Sequence, residues 1–266
     1  MNKKRDLFEP LPIPFIRASW MRCEAKGLST DAVSLSRIAH VQKSDESLTN
    51  QQSTPVNLLS VLRFIKMCSD ESWCIAGMCD SNAVCLELLY TDSAIACTDK
   101  LNLHKGVIID ESSAGTCAPS LSVLLRHPCT ISGESHYLKL FRSFHTMAVP
   151  IFDQSVQNFY CLFVFTKYQG VMIENSFLAY SFVKRILSKI WESPQVIDTI
   201  SRLYDKMHVL TNREKQVFSF LLVGCKSSEI QEVLNINKFT VRDHCQSIYK
   251  KLEVKDKTEI LNLIQS

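Results

Sequence analysis

The sequence predicts an α+β domain followed by an all-helical tail that contains a helix-turn-helix. Three observations lead to this fold class. A length of 266 residues favours two domains over one. Short apolar runs, typical of strands, lie between two segments with helical spacing in residues 55–192. Residues 208–266 show helical spacing throughout and no strand-like run.

The composition is that of an ordinary globular protein, with 46% hydrophobic and 21% charged residues. The net charge is only +3, so a surface that binds nucleic acid has to be local. The sequence contains no apolar run of membrane-spanning length and no signal-peptide h-region after its basic start. We therefore expect a soluble cytoplasmic protein without a membrane partner.

Cysteine is unusually frequent, with 11 residues. An odd count without C-x-x-C pairs argues against a disulfide framework. The spacing of Cys74, Cys79 and Cys85 matches no usual set of metal ligands, so we expect neither a metal site nor a cofactor. Buried reduced thiols are the favoured interpretation, and a cysteine-based redox sensor is the alternative.

The first part of the chain, residues 1–54, reads as an N-terminal helix and a polar connection. Residues 15–40 have helical character, and residues 40–55 are polar and short of large apolar side chains. A second helix is predicted in VNLLSVLRFIKMCS, where Leu58, Val61, Leu62 and Ile65 recur with helical spacing.

The centre of the α+β domain reads as a sheet. The runs WCIAGMCD and AVCLELLY predict two strands around a turn at Asp80–Asn82, and MAVPIFD and FYCLFVFTKY predict two more. FYCLFVFTKY is almost wholly apolar and is the expected central strand, while SLSVLLRH reads as a short helix. A long helix over residues 172–191 closes the domain, and its wide apolar face predicts a dimer seam. Residues 193–207 follow as a linker.

Four helices are predicted in the tail. The first begins with a capping box at Thr211–Glu214 and ends near Gly224. SSEIQEVL forms the second, and Asn237 is a suitable N-cap for the third, KFTVRDHCQSIYKKL, before DKTEILNLI ends the tail. The third helix has a buried stripe of Val241, Cys245, Ile248 and Leu252.

The opposite face of the third helix is polar and mostly basic, with Lys238, Arg242, Asp243, Gln246, Lys250 and Lys251. An α-helix fits the DNA major groove, where such side chains contact base edges and phosphates. Taken alone, these charges favour a merely solvated helix face over a DNA contact, because most charge runs are solvated faces.

The segment LTNREKQVFSFLLVGCKSSEIQEVLNINKFTVRDHCQSIYKKLEV resembles the DNA-binding domain of the LuxR/NarL regulators, with L-T-x-R-E, T-V-x-x-H and K-L-x-V in order. It departs from that pattern at Gln231, Phe239 and Glu253. The resemblance implies double-stranded DNA as partner and binding as a homodimer. It implies that Arg242, Asp243 and Gln246 face bases and that Lys238, Thr240, His244 and Lys250 lie near the backbone.

Residues 111–137, ESSAGTCAPSLSVLLRHPCTISGESHY, resemble the GAF sensor domain of bacterial activators of acetoin and dihydroxyacetone metabolism. RASWMRCEAKGLS resembles the segment that opens those proteins. Departures at Cys117, Ser120, Ser135 and Phe144 leave the ligand open. The resemblance implies a pocket for a small-molecule effector, and the candidate ligand contacts are Thr116, Ser135, His136 and Phe144.

These features predict a transcriptional regulator in which a GAF-like sensor controls DNA binding by the tail. The central ATPase of the resembled activators is missing, so the chain is expected to act with ordinary RNA polymerase. In one alternative, the degenerate sensor docks a protein partner instead of a small molecule. We expect no enzymatic activity, because no nucleophile motif such as G-x-S-x-G is present.

Overall fold

A five-stranded antiparallel sheet lies between two layers of helices, and a helical tail follows it. The computed structural model describes residues 8–36, 55–69, 73–153, 158–168 and 174–263. The predicted order of an α+β region and an all-helical tail is confirmed. No helix within these ranges is long and apolar enough to cross a membrane.

The helices are α1 (Ile13–Ala25), α2 (Val56–Cys68), α3 (Ile95–Leu101), α4 (Ala118–Leu125), α5 (Glu174–Glu192), α6 (Val196–Lys206), α7 (Asn212–Leu222), α8 (Ser227–Leu234), α9 (Lys238–Leu252) and α10 (Lys257–Leu263). The strands are β1 (Cys74–Asp80), β2 (Cys85–Tyr90), β3 (Cys129–Ser132), β4 (Phe144–Asp153) and β5 (Asn158–Lys167).

The strand order is β2-β1-β5-β4-β3, so the apolar strand β5 is central, as predicted. The predicted turn between β1 and β2 is confirmed as well. The carboxylate of Asp80 accepts hydrogen bonds from the backbone N–H groups of Asn82 and Val84, both at 2.9 Å. A short Asp side chain that binds the backbone ahead of it is a common way to close such a turn.

Strands β1, β4 and β5 contribute alternate side chains to two separate cores, because successive residues of a strand point to opposite faces. In β5, Leu162 and Val164 belong to the core under α2 and α5, whereas Phe163 and Phe165 belong to the core under α1 and α4. Both faces of the sheet are therefore covered by protein.

Two details of the prediction for the N-terminal region were wrong, and helix α3 was not predicted at all. Strand β3 was missed, since four residues after a proline are too few to show alternation. The first helix ends at Ala25 instead of continuing to residue 40, and Gly27 follows with a left-handed φ of +74°. Residues 37–54, which include most of the predicted polar connection, lie outside the described residues.

The predicted dimer seam on α5 has a different explanation. Phe182, Val183, Ile186, Leu187 and Ile190 are buried within this chain, and α5 packs against β4 and β5. The side chain of Phe177 lies outside the described residues. The buried part of this apolar face is thus used by the sheet, and a homodimer stays a prediction.

The segment predicted as a linker is mostly helix α6. Val196, Ile197, Ile200 and Leu203 are buried, and α6 packs against α2. Helix α7 of the tail also contacts α2 and α5. Pro194 ends α5 as expected, but a second amphipathic helix begins directly after it, so that one apolar core continues from the sheet into the tail.

Candidate functional site

Helix α9 is the best-defined candidate site, and its own sequence fixes its position. The Asn237 side chain caps the helix by accepting a hydrogen bond from the Thr240 backbone N–H at 2.9 Å. The predicted stripe of Val241, Cys245, Ile248 and Leu252 is buried against α7 and α8. Because these four residues fix the rotation of α9, the polar face has to point away from the protein.

The seven residues predicted to contact DNA lie on the outer side of α9. Five are exposed and two are half-buried; the exposed ones are Lys238, Arg242, Asp243, Gln246 and Lys250, and the half-buried ones are Thr240 and His244. Within the described ranges, no ion pair or side-chain hydrogen bond engages the five exposed side chains. Their charges and hydrogen-bonding groups are therefore available to a partner.

Lys251, which the sequence placed on the same outer face, has a different role. Its Nζ donates to both carboxylate oxygens of Glu214, at 2.9 and 2.7 Å. Ser247 also donates to that carboxylate, at 2.6 Å. The predicted capping box is confirmed, since Glu214 accepts from the Thr211 backbone N–H. Glu214 thus joins the start of α7 to the end of α9.

Electrostatics at Glu214 favour the ionised form. Burial acts to raise the pKa of this carboxyl, but the hydrogen bonds from Lys251, Ser247 and Thr211 outweigh burial and lower the pKa to about 2. Because Lys251 forms an ion pair with Glu214, its positive charge is not available to a partner.

Two other basic side chains of the tail also hold its fold together. Arg213 donates to the backbone carbonyl of Leu234 at 2.7 Å, where α8 ends. Lys257 donates to the carbonyls of Gly224 and Cys225, at 2.8 and 2.6 Å, in the loop after α7. Sequence reasoning missed both roles, because each partner lies more than twenty residues away in the chain.

The four candidate ligand contacts lie on the face of the sheet covered by α1 and α4, and each has partners within the chain. The ring of Phe144 stacks on Trp73 with centroids 4.8 Å apart. The hydroxyl of Thr116 hydrogen-bonds Ser19 at 2.7 Å. Ser135 is half-buried, and its carbonyl accepts from the indole N–H of Trp20.

His136 is fully buried and fully hydrogen-bonded. Nδ1 donates to the carbonyl of Gly133, and Nε2 accepts from the hydroxyl of Thr146, both at 3.0 Å. Burial lowers the pKa of His136 to about 4, so the ring is neutral at pH 7. These contacts are those of a histidine that orders a turn, and ligand binding by this residue stays a prediction.

A polar cluster that sequence reasoning did not find fixes α1 to the rest of the α+β region. Arg22 binds Glu111 with two parallel hydrogen bonds, from Nε to Oε2 at 2.8 Å and from Nη2 to Oε1 at 2.7 Å. Ser19 donates to the same carboxylate. Glu111 is only 4% exposed. Burial acts to raise its pKa, yet the hydrogen bonds from Arg22 and Ser19 leave that pKa below the ordinary value.

A second contact lies beside this cluster. The Trp20 and Tyr137 rings meet edge to face at 6.0 Å, and the Tyr137 hydroxyl donates to the carbonyl of Leu28 at 2.7 Å. Gly115 has a φ of +63°, and a Cβ at this position would lie 3.1 Å from the Cβ of Tyr137. The residues of the two segments that resemble sensor domains therefore contact one another and hold α1 in place.

None of the 11 cysteines forms a disulfide bond, and each is buried or half-buried. Burial raises the pKa of the Cys85 and Cys117 thiols to about 12, which disfavours the reactive thiolate. Over the described part of the chain, no group of three or more His, Cys, Asp or Glu side chains is arranged to hold a metal ion.

Residues 208–264 match the family described as "Bacterial regulatory proteins, luxR family". The tail is therefore a LuxR-type helix-turn-helix domain. The transcriptional regulatory protein DesR of Bacillus subtilis is 39% identical over 59 residues, which are 22% of this chain and 30% of DesR. The CsgBAC operon transcriptional regulatory protein of Escherichia coli is 35% identical over 54 residues, 20% of this chain and 25% of that protein.

The chain thus spans less than a third of the length of these relatives, and the match is confined to its tail. Both relatives are transcriptional regulators by name, a class that is not enzymatic.

About three quarters of this chain is similar in fold to a chain in the crystal structure of the E. coli DhaR(N)–DhaL complex. The TM-score is 0.51 at 16% sequence identity, with 74% of this chain and 67% of that chain covered. At this identity the likeness concerns the fold alone.

Proposed function

We propose that this protein is a sequence-specific, DNA-binding transcriptional regulator. Residues 208–266 form the DNA-reading domain, and residues 55–192 form a GAF-like sensor that controls it. The observation that carries the proposal is the outer face of α9 on a tail of the LuxR type. Its exposed polar side chains are mostly basic, and none has an ion pair or side-chain hydrogen bond within the described residues. An α-helix with such a face fits the major groove.

The residues of α9 divide into two roles in this proposal. Arg242, Asp243 and Gln246 have the side-chain chemistry that reads base edges, with Arg suited to guanine and Gln to adenine. The remaining four contact the sugar-phosphate backbone and position the helix; they are Lys238, Thr240, His244 and Lys250.

Regulation requires that a signal favours one arrangement of the protein over another. We propose that the protein acts as a homodimer together with RNA polymerase, and that the sensor alters the relation between its two DNA-reading domains. A small-molecule effector bound near Thr116 and Ser135 is the first hypothesis for the signal. Thermal unfolding with candidate metabolites tests it, because a ligand of the folded state raises the Tm.

A protein partner is the second hypothesis for the signal, and one observation favours it. The side chains of Thr116, His136 and Phe144 are already engaged within the chain. The solved structure of similar fold is, by its title, a complex of DhaR(N) with DhaL. The free thiols with raised pKa values weigh against the redox alternative.

The test of the proposed function is genome-wide DNA occupancy in the organism from which the sequence comes, combined with expression in a deletion strain. Discrete peaks beside genes whose expression changes are the expected result. Occupancy without discrete peaks, in a strain where the protein is present and folded, would contradict sequence-specific binding.

Arg242→Ala should weaken binding to the preferred sequence by about 1–3 kcal/mol, since a bidentate contact to a base edge is worth that much. Binding to unrelated DNA should weaken far less. Fluorescence anisotropy with both duplexes measures the two effects. Arg17→Ala removes the same charge from the exposed side of α1 and serves as the control. Equal losses on both duplexes would show that Arg242 does not read a base.

A further inference from the structure

Phe239 is an apolar side chain in the middle of a polar surface. It is 74% exposed, the most of any phenylalanine in the described residues. Single exposed apolar side chains are common on proteins, so exposure alone indicates no function. Its position on α9 is what requires an explanation.

The spacing along α9 places Phe239 at the centre of the outer face. The buried stripe is Val241, Cys245, Ile248 and Leu252. The same spacing of four, three and four residues, begun two residues earlier, gives Phe239, Asp243, Gln246 and Lys250. Two residues are about 200° of helical rotation, so this second set lies opposite the buried one. Phe239 is therefore in line with two residues proposed to read bases.

Phe239 contributes little to the fold of the tail. The cap of α9 is made by the Asn237 side chain and the Thr240 backbone N–H, which leaves the phenyl ring uninvolved. Among the described residues, no aromatic or cation–π contact includes Phe239. The ring is held at a fixed place on the first turn of α9 while its surface stays open.

In the major groove, a phenyl ring has one apolar partner. The C5-methyl group of thymine projects into that groove, and apolar side chains contact it there. 5-Methylcytosine presents the same methyl group at the same ring position. Guanine and unmodified cytosine offer only hydrogen-bonding groups at their major-groove edges.

We propose that Phe239 is a specificity-determining residue that packs against a pyrimidine C5-methyl group in the DNA sequence that α9 reads. This inference rests on the proposed function. In this arrangement, the first turn of α9 contacts a methyl-bearing pyrimidine at one end of each half-site. That pyrimidine lies beside the bases read by Arg242, Asp243 and Gln246.

The test begins with selection from a random-sequence duplex library by the purified full chain and by Phe239→Ser and Phe239→Leu. Each thymine of the preferred sequence is then replaced in turn by deoxyuridine, which lacks only the methyl group. One replacement should weaken wild-type binding about fourfold. Burial of one methyl-sized group is worth about 0.8 kcal/mol, and a tenfold change is about 1.4 kcal/mol.

Phe239→Ser should bind the thymine and deoxyuridine duplexes equally at that position and should lose its preference there, whereas Phe239→Leu should keep part of it. Phe152→Ser is the matched control, because Phe152 is 60% exposed on strand β4. This variant should behave like the wild type in every arm.

The second arm identifies the source of the methyl group. If no thymine is sensitive but 5-methylcytosine at one cytosine tightens wild-type binding and not Phe239→Ser binding, the contact is to methylated DNA. If the wild type and Phe239→Ser respond alike to every methyl group, the inference is wrong while the proposed function stands. If the wild type enriches no sequence at all, both this inference and the proposed sequence-specific DNA binding are wrong.

Discussion

Glu214 stabilises the tail through contacts beyond its capping box. It binds Thr211 within α7 and also Ser247 and Lys251 of α9. A carboxylate buried in this way is stable only while its donors stay in place. The contact between α7 and α9 therefore includes one ionised side chain in addition to the buried apolar stripe of α9.

Glu214→Gln should lower the free energy of unfolding by about 2–3 kcal/mol, which is the cost of losing charged hydrogen bonds at a buried site. Urea unfolding at pH 7 measures it. Glu253→Gln is the control, because Glu253 pairs with Lys206 at 3.5 Å while 81% exposed. Such surface pairs contribute about 0–1 kcal/mol. Equal losses in both variants would contradict the buried role of Glu214.

The pH dependence of stability should report on the same carboxylate. Its folded-state pKa of about 2 lies below the ordinary value of 4.5. The stabilisation is therefore fully present above about pH 4.5 and is lost as the pH falls toward 2, because the unfolded chain takes up the proton first. Glu214→Gln should lose stability less steeply than the wild type in this window.

Helix α1 is held to the sheet region by residues that lie far apart in the chain. Arg22 is 42% exposed and Glu111 is 4% exposed, so the carboxylate depends on a partner that reaches it from the surface. The contact also involves Ser19, and Trp20 and Tyr137 pack beside it. Helix α1 is thus an integral part of the α+β region.

Arg22→Ala should release α1, because it leaves the Glu111 carboxylate buried without its cation. We expect a loss of about 1–3 kcal/mol in unfolding free energy and faster hydrogen exchange in residues 13–25. Arg17→Ala, a second arginine on the same helix but exposed, should change stability by less than about 0.5 kcal/mol. Unchanged exchange in Arg22→Ala would show that packing alone holds α1.

Lys250→Ala should weaken binding to every DNA sequence and should reduce the slope of log Kd against log salt concentration by about 0.9, the value for one phosphate contact. The reason is the exposed ammonium group of Lys250 near the end of α9, which has no ion-pair partner in the part of the chain that the structure describes. Lys100→Ala on α3 changes the net charge equally and should leave the slope unaltered. A slope that stays constant in Lys250→Ala would rule out the phosphate contact.

The sequence predicted those elements whose signal is local. The stripe from Val241 to Leu252 and the caps at Thr211 and Asn237 depend only on spacing within a few turns, and they are confirmed. Contacts such as Arg22 with Glu111 join residues 89 positions apart, and nothing in the spacing indicates them. Helix α6 is the exception: Val196, Ile197, Ile200 and Leu203 have helical spacing, but the segment after Pro194 was interpreted as a linker.

At the scale of the whole molecule, the continuous apolar core connects the sheet region with the tail. Helix α6 packs on α2, and α7 contacts both α2 and α5. The side chain of Asn57 on α2 also donates to the carboxylate of Asp198 on α6. Two regions that share buried apolar surface are expected to unfold together.

Urea unfolding of the full chain should therefore show one transition. The three tryptophans, Trp20, Trp73 and Trp191, all precede the tail, so their fluorescence reports on the α+β region. Hydrogen exchange of residues 212–252 reports on the tail. The two midpoints should coincide. A tail that unfolds at a lower urea concentration than the tryptophans report would show that the core between them is not cooperative.

Helix α6 joins the sheet region to the tail. Because α6 is a packed helix and not a flexible linker, its length fixes the rotation between the segments on either side of it. Adding one residue to α6 would turn everything beyond it by about 100° and advance it by about 1.5 Å. The direction in which the polar face of α9 points is thus set by the number of residues in α6. A change of one residue there would redirect that face even if every residue of α9 stayed the same.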